Sequence, residues 1–172
     1  MQDILDFWFA LPPSDWYAKS AVLDGQIKAR FEPTYRAVVA GETAAWRDAP
    51  EGRLAEIIVL DQFSRNMFRD HAQAFAADPL ALALSQEAIR SGADRLLADI
   101  RRAFLYMPFM HSESRRIHEQ AMVLFRNLPN LDFEIRHKAI IDRFGRYPHR
   151  NAALSRPSTA EEAEWMASNP GF

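Results

Sequence analysis

The chain has 172 residues, a length suited to one domain spanning 1–172, with a core large enough to need no staples. It contains no cysteine, which excludes disulfides, thiolate metal sites and cysteine nucleophiles. With 21 basic and 23 acidic residues the formal charge is −2, which argues against nucleic-acid binding over the whole surface.

Apolar residues recur at helical spacing along almost the entire chain. Ile4, Leu5, Trp8 and Phe9 form the first stripe, and Pro12-Pro13 stops it. Phe7, Trp8 and Phe9 cannot all face inward on one helix, so one of them is expected in an interface or under a neighbouring segment. Ile27, Phe31, Tyr35 and Val38 form the second stripe, with Pro33 predicting a kink or break and Gly41 an end. The third stripe runs Leu54, Ile57, Ile58, Asp61, Arg65, Phe68. It is apolar nearly all round from Ile57 to Leu60, the pattern of a buried central helix.

Asp78-Pro79 reads as an N-cap followed by proline at the first helical position, with the helix ending near Ser91 and Gly92 closing it. Ile100, Phe104 and Met107 start a helix that meets Pro108. Ser112 is the expected cap of the next, whose face carries Ile117, Gln120, Ala121, Leu124 and Phe125. Phe133, His137, Ile140, Ile141 and Phe144 mark another helix. The last runs from Ser158 to Ser168, where Ser158 and Glu161 have capping-box spacing. No alternating apolar run or hairpin turn is present, so the class is all-α, with about seven to nine helices and short loops. No apolar run approaches the roughly 20 residues of a membrane span. Acids stand where a signal peptide has a basic flank, so a soluble, cytoplasmic protein is expected, with no membrane partner.

Charge is uneven along the chain. Residues 111–156 hold 9 basic and 5 acidic residues with four of the five histidines, a local positive field in an acidic protein. A short echo links Val59-Leu60-Asp61-Gln62-Phe63-Ser64-Arg65 with Ile141-Asp142-Arg143-Phe144-Gly145-Arg146, a pattern short enough to match by chance.

Several polar groups sit where apolar ones are expected. Asp61 and Arg65 share one helix face, either as a site in which Arg65 holds an anion and Asp61 orients it or acts as base, or as an internal ion pair that fixes packing. Gln62 and Asn66 are placed to complete either arrangement. The segment from Arg143 to Asn151 packs Arg143, Arg146, His149 and Arg150 among Phe144 and Tyr147. It reads either as an anion site at a helix junction or as a loop whose arginines bind helix C-terminal carbonyls. Single-stranded nucleic acid is disfavoured as its ligand, since only one such segment exists on an acidic protein. Glu113 falls on the Ile117 face and His137 on the Ile141 face. With His111 and Asp61 they form the candidate acid–base set, though a histidine on an apolar face is commonly a hydrogen-bonded core residue. His118-Glu119 lacks a histidine four residues on, so the zincin pattern fails. No metal or cofactor is expected, although His111, His137, His149 and carboxylates could still meet across helices.

Five strings carry a family resemblance: Leu5-Asp6-Phe7-Trp8-Phe9, Leu60-Asp61-Gln62-Phe63-Ser64-Arg65-Asn66, Phe75-x-x-Asp78-Pro79-Leu80-Ala81, Pro108-Phe109-Met110-His111-Ser112-Glu113, and Arg143 through Asn151. Together they resemble the uncharacterised domain of unknown function family 924. Ser64 departs from the proline more familiar there, which alters the local helix but not the charges. The resemblance implies a tetratricopeptide-like fold, antiparallel helix pairs stacked in a compact right-handed superhelix with a groove between helices. It implies no activity, substrate or catalytic residue.

Three functions follow as expectations. The first is binding of a small anionic ligand or peptide terminus by Arg65, Asn66, Arg143, Arg146, His149, Arg150 and Asn151. The second is a hydrolase-like enzyme using His111 or His137 with Asp61 or Glu113. The third is a protein-interaction scaffold whose polar motifs are buried ties. The oligomeric state is not readable from the pattern.

Overall fold

A computed structural model describes residues 1–169. Those residues form helices and turns, with no strand among them: α1 (Gln2–Phe9), α2 (Ala21–Val39), α3 (Pro50–Ile58), α4 (Ser64–Met67), α5 (Asp78–Arg90), α6 (Asp99–Met110), α7 (Arg115–Leu124), α8 (Leu131–Phe144) and α9 (Ala160–Ser168). A π turn over Val59–Phe63 joins α3 to α4 end to end, and short 3-10 turns fill several connections.

The apolar stripes become the buried faces. Leu23, Ile27, Phe31, Tyr35 and Val38 face the core from α2, which runs through Pro33 rather than breaking there. The proline removes one backbone donor at a cost of roughly 3 kcal/mol. The burial of four large side chains flanking it, worth about 1.5–3 kcal/mol each, outweighs that cost. Gly41, at φ 76, ends the helix: its N–H donates to the Val38 carbonyl and the Glu42 N–H to the Ala37 carbonyl, the paired bonds of a Schellman motif. Trp8 points fully into the core, while half-buried Phe7 packs on Phe31 and Phe63, and Phe9 on Trp16 and Phe104.

Four expected boundaries shift, three of them where a side chain or carbonyl has a tertiary partner and one, at Pro108, where the helix is buried on either side of the proline. Asp78 lies inside the first turn of α5 and makes no cap bond; its carboxylate is taken by two arginines. Pro108 sits inside α6, which continues to Met110. Ser114, not Ser112, occupies the cap position of α7, and the Ser112 carbonyl accepts from His118 instead. The capping box of α9 is Thr159 with Glu162, one residue beyond the expected Ser158 and Glu161; Ser158 accepts from the Asn151 amide.

The π turn and α4 pack on α2, α3 lies against α1, α5 and α6, and α6, α7 and α8 follow as successive neighbours. From Leu54 to Ser64 every side chain of this central rod is buried, including Glu56, Asp61, Gln62 and Ser64. A smaller cluster of Ile140, Ile141 and Tyr147, with Phe144 and Trp165 packed against it, holds α8 and α9 together. The echoed strings sit in unlike surroundings, since Asp61 is buried whereas Asp142 pairs with Lys138 at the surface.

Gly52 is the tightest backbone approach. A Cβ there would stand 1.9 Å from the Trp46 carbonyl oxygen. Helix propensity alone favours Gly52→Ala by about 1 kcal/mol. The contact reverses the sign, and we expect the variant to lose about 1–3 kcal/mol in urea unfolding. A gain in stability would show that the α3 entrance relaxes freely.

Candidate functional site

The site grows from the π turn. Asp61 and Gln62 lie buried within that turn, and π turns recur at functional sites. Asp61 is fully buried. His111, the C-cap of α6, brings Nδ1 to 2.7 Å and 3.0 Å from the two carboxylate oxygens, and the Gln62 amide donates to Oδ2 at 2.6 Å. Arg65 donates to the Asp61 carbonyl at 2.6 Å and lies 3.3 Å from Oδ1.

Arg65 then turns to Asp78, gripping it with two parallel bonds of 2.9 Å. Arg150 reaches the same carboxylate at 3.0 Å and the His111 carbonyl at 2.9 Å. Its guanidinium lies between the rings of Phe75 and Tyr147, 4.7 and 4.6 Å from their centroids, and its buried Nε has no hydrogen-bond partner. Asp78 therefore ties the central rod to the 3-10 turn at Pro148–Arg150, two segments far apart in sequence.

Burial alone would raise the pKa of Asp61, but the His111 ring, the Arg65 charge and the Gln62 amide outweigh it and hold the carboxyl well below its usual range. Burial keeps the His111 imidazole below its ordinary value despite Asp61, so the pair is a neutral histidine donating Nδ1–H to an anionic carboxylate. His111 Nε2 is bonded to none of the described residues. Burial, reinforced by nearby His111, lowers His137 to about 3; packing and the Arg150 and Arg65 charges lower His149, whose edge is exposed and partly screened. All three rings are neutral near pH 7.

Two hollows meet at this point. One, of about 230 Å³, is lined by Trp16, Tyr17, Met107, Met110 and Phe133 with the amides of Gln62, Asn66 and Asn130. The other, of about 340 Å³, is lined by Lys19, Asp70, Phe75, His149 and Arg150. Arg65, Arg69, His111 and His137 belong to the walls of both. Asp24 and Asp61 line neither hollow; they pair with Arg69 and Arg65 from outside the walls.

The structure gathers Asp61, Arg65, Asn66, His111, His137, His149 and Arg150 at this cleft. It does not bring the other candidates there. Glu113 lies before α7 rather than on its inner face, where it accepts from the Tyr147 N–H and pairs with Arg156 through two bonds. Arg143 pairs at the surface with Glu161, and Arg146 with Glu162 and the Pro157 carbonyl. Asn151 is buried against Ser158, Glu162 and Arg156. These four fasten the chain around α9. Gly145, at φ 71, ends α8 between Arg143 and Arg146, and the turn at Pro148–Arg150 then carries Arg150 to the cleft.

Four cleft or near-cleft residues escape the sequence reading. Asp78 is hidden by its cap-like Asp-Pro context. Arg69 follows Arg65 by four residues, and that spacing was the available signal; its bidentate bond to Asp24 exists only in the fold. Lys19 lies in a loop and makes no ion pair with the described residues. His118 is wholly buried, bonded through Nδ1 to Glu134 at 2.7 Å and through Nε2 to the Ser112 carbonyl and the Tyr147 hydroxyl. Among the described residues no three His, Asp or Glu side chains are placed to hold one metal ion, and no helix is long and apolar enough to cross a membrane.

The sequence profile described as "Bacterial protein of unknown function (DUF924)" matches residues 4–170. The solved structure of a protein of unknown function, ATU0120 from Agrobacterium tumefaciens, superposes with a TM-score of 0.93 at 37% identity, over 98% of this chain and 97% of that one. No curated protein matches.

Removing Arg65 leaves Asp61 buried with its charge uncompensated and half of the Asp78 grip lost. Arg65→Ala should cost about 3–5 kcal/mol of stability, whereas Arg143→Ala, which breaks an exposed pair, should stay within about 0.5 kcal/mol. Chemical denaturation of both variants checks the contrast; equal losses would mean the central network carries no special weight.

Proposed function

This chain belongs to the DUF924 family of bacterial proteins of unknown function, and we propose that it binds a small anionic ligand in the cleft beside α4, α6 and α8. The observation that carries this reading is one of placement. Arg65, Arg69, Arg150 and Lys19 line the opening, while Asp24, Asp61 and Asp78, which pair with the three arginines, lie outside its walls. The local charges nearly balance, so the cleft attracts anions through oriented guanidinium edges rather than through excess charge. Hollows of this size fall near the roughly 300–1,000 Å³ of small-ligand sites. We extend the reading to the fold: the successive packing of α5, α6, α7 and α8 supports a tetratricopeptide-like stack with the cleft on its inner side.

Titration with inorganic phosphate, sulfate and acetate, followed by thermal shift and calorimetry, tests the reading. At a hundred times its Kd a bound anion should stabilise the protein by about 2.7 kcal/mol. Lys19→Gln combined with Arg69→Gln should remove most of that gain. No stabilisation by any anion, or a gain untouched by the double variant, would overturn the assignment.

A second reading is favoured by one observation, the contrast between two histidine–carboxylate pairs. His118 engages both ring nitrogens and is sealed in the core, as a structural tie. His111 engages only Nδ1, and its ring lines both hollows. A neutral imidazole oriented by a buried aspartate, with its other nitrogen open, is the arrangement of a general base. We propose that His111 Nε2 takes a proton from water or from the ligand during hydrolysis of an anionic substrate, with Asp61 as its positioning residue. Brief treatment with diethyl pyrocarbonate at pH 7 should modify His111 well before His118, and bound phosphate should slow it. Equal rates would remove the basis for the catalytic reading.

A further inference from the structure

The two hollows differ in chemistry, and the difference defines a ligand class. On one side of the partition made by His111, Arg65, Arg69 and His137, the walls are the buried Met107 and Met110 and the half-buried Trp16. The mouth is formed by Tyr17 and Phe133, whose rings stack at 5.4 Å with 24° between their planes. Both are large and exposed, 49% and 41%, although a stacked pair of rings would ordinarily be covered. The Asn130 amide holds the Tyr17 hydroxyl at 3.0 Å, so the pair is fixed in place. On the other side the walls carry more charge, Lys19, His149 and Arg150 with Asp70 the single acid, beside one ring, Phe75, and the small Ala74 and Ala153. A small inorganic anion held by Lys19, Arg69 and Arg150 would leave the methionines and the Tyr17–Phe133 stack uncovered.

We propose that the ligand is amphiphilic: an anionic head group seated among Lys19, Arg69 and Arg150, joined to a flat ring that enters between the methionines and the Tyr17–Phe133 stack. The inference rests on the anion-binding reading and adds the ligand's second half. Thioethers and ring faces match a planar apolar group, because methionine adapts to ring edges and aromatic pairs accept a further ring by offset or edge contact. The amides of Gln62, Asn66 and Asn130 on the same wall suit a ring bearing a polar substituent better than a bare alkyl chain. In this placement the bond between head and ring passes His111, where the open Nε2 faces the cleft.

Calorimetry with phenyl phosphate, inorganic phosphate and phenol, repeated with benzoate and acetate, separates the contributions and identifies which head group is preferred. Phenyl phosphate or benzoate should bind at least tenfold tighter than its parent anion. Phe133→Ala, at an exposed ring, and Tyr17→Ala, with its melting temperature checked because the Asn130 amide loses its partner, should each abolish that advantage while the parent anion still binds. Equal affinity for the ring-bearing and parent anions, or an advantage that survives both substitutions, overturns the amphiphilic class while the anion site stands. Phenol binding as tightly as phenyl phosphate also overturns it, since the head would then contribute nothing. If none of the anions binds, the anion-binding reading and this one fall together.

Discussion

The carboxylate of Asp61 is the constraint around which the molecule is arranged. An ionised carboxylate without exposure costs several kcal/mol unless it is paired and hydrogen-bonded. Here it is met by a guanidinium, an imidazole N–H and an amide, each from a different part of the fold or of the π turn. The turn that exposes the carboxylate to these partners interrupts the otherwise regular rod from Pro50 to Met67. The central helix is thus both the hydrophobic axis and the anchor for the polar network, and those roles meet in consecutive residues, Leu60 and Asp61.

From Asp61 the network extends outward by sharing. Arg65 serves Asp61 and Asp78, Asp78 serves Arg65 and Arg150, and Arg150 returns to the His111 carbonyl. Each charged group satisfies its neighbour, so deletion of one strands others, and effects of substitutions within the ring should not add. A separate group closes the C-terminal end: Glu113 with Arg156, and Glu162 with Arg146 and the α9 cap. Tyr147 connects the two, offering its N–H to Glu113, its hydroxyl to the Met110 carbonyl and its ring to Arg150. The C-terminal group shapes the cleft only through the position it gives to the turn at Pro148–Arg150.

The two histidine–carboxylate pairs show how identical chemistry takes on different roles. His118 and Glu134 face one another in the core, where burial raises the Glu134 pKa and the hydrogen bond to His118 opposes it. His111 and Asp61 meet at the floor of an opening, where a guanidinium keeps the acid ionised. Residue type and separation in sequence do not distinguish them. What differs is whether the second ring nitrogen faces protein or cleft.

Periodicity alone determined the helical class, the buried stripes and the burial of the central rod, because apolar side chains at 3.6-residue spacing have one economical arrangement. It also marked Asp61 and Arg65 as charges in apolar positions, the kind of local conflict that points to a site, while His111 and Arg150 stood out only as members of a candidate acid–base set and a basic turn. Only the tertiary structure decided which of them converge. Asp78 read as a helix cap because Asp-Pro favours that position locally, yet its carboxylate is recruited by arginines 13 and 72 residues away. Arg143, Arg146 and Arg150 stood in one basic cluster, yet the first two pair with acids of α9 while the turn at Pro148–Arg150 takes the third to Asp78 at the cleft. Pro33 and Pro108 promised breaks, yet the helices pass through them because burial on either side outweighs one lost hydrogen bond. Local propensity is set within a helical turn or two, whereas the partners of a buried charge are chosen by the fold as a whole.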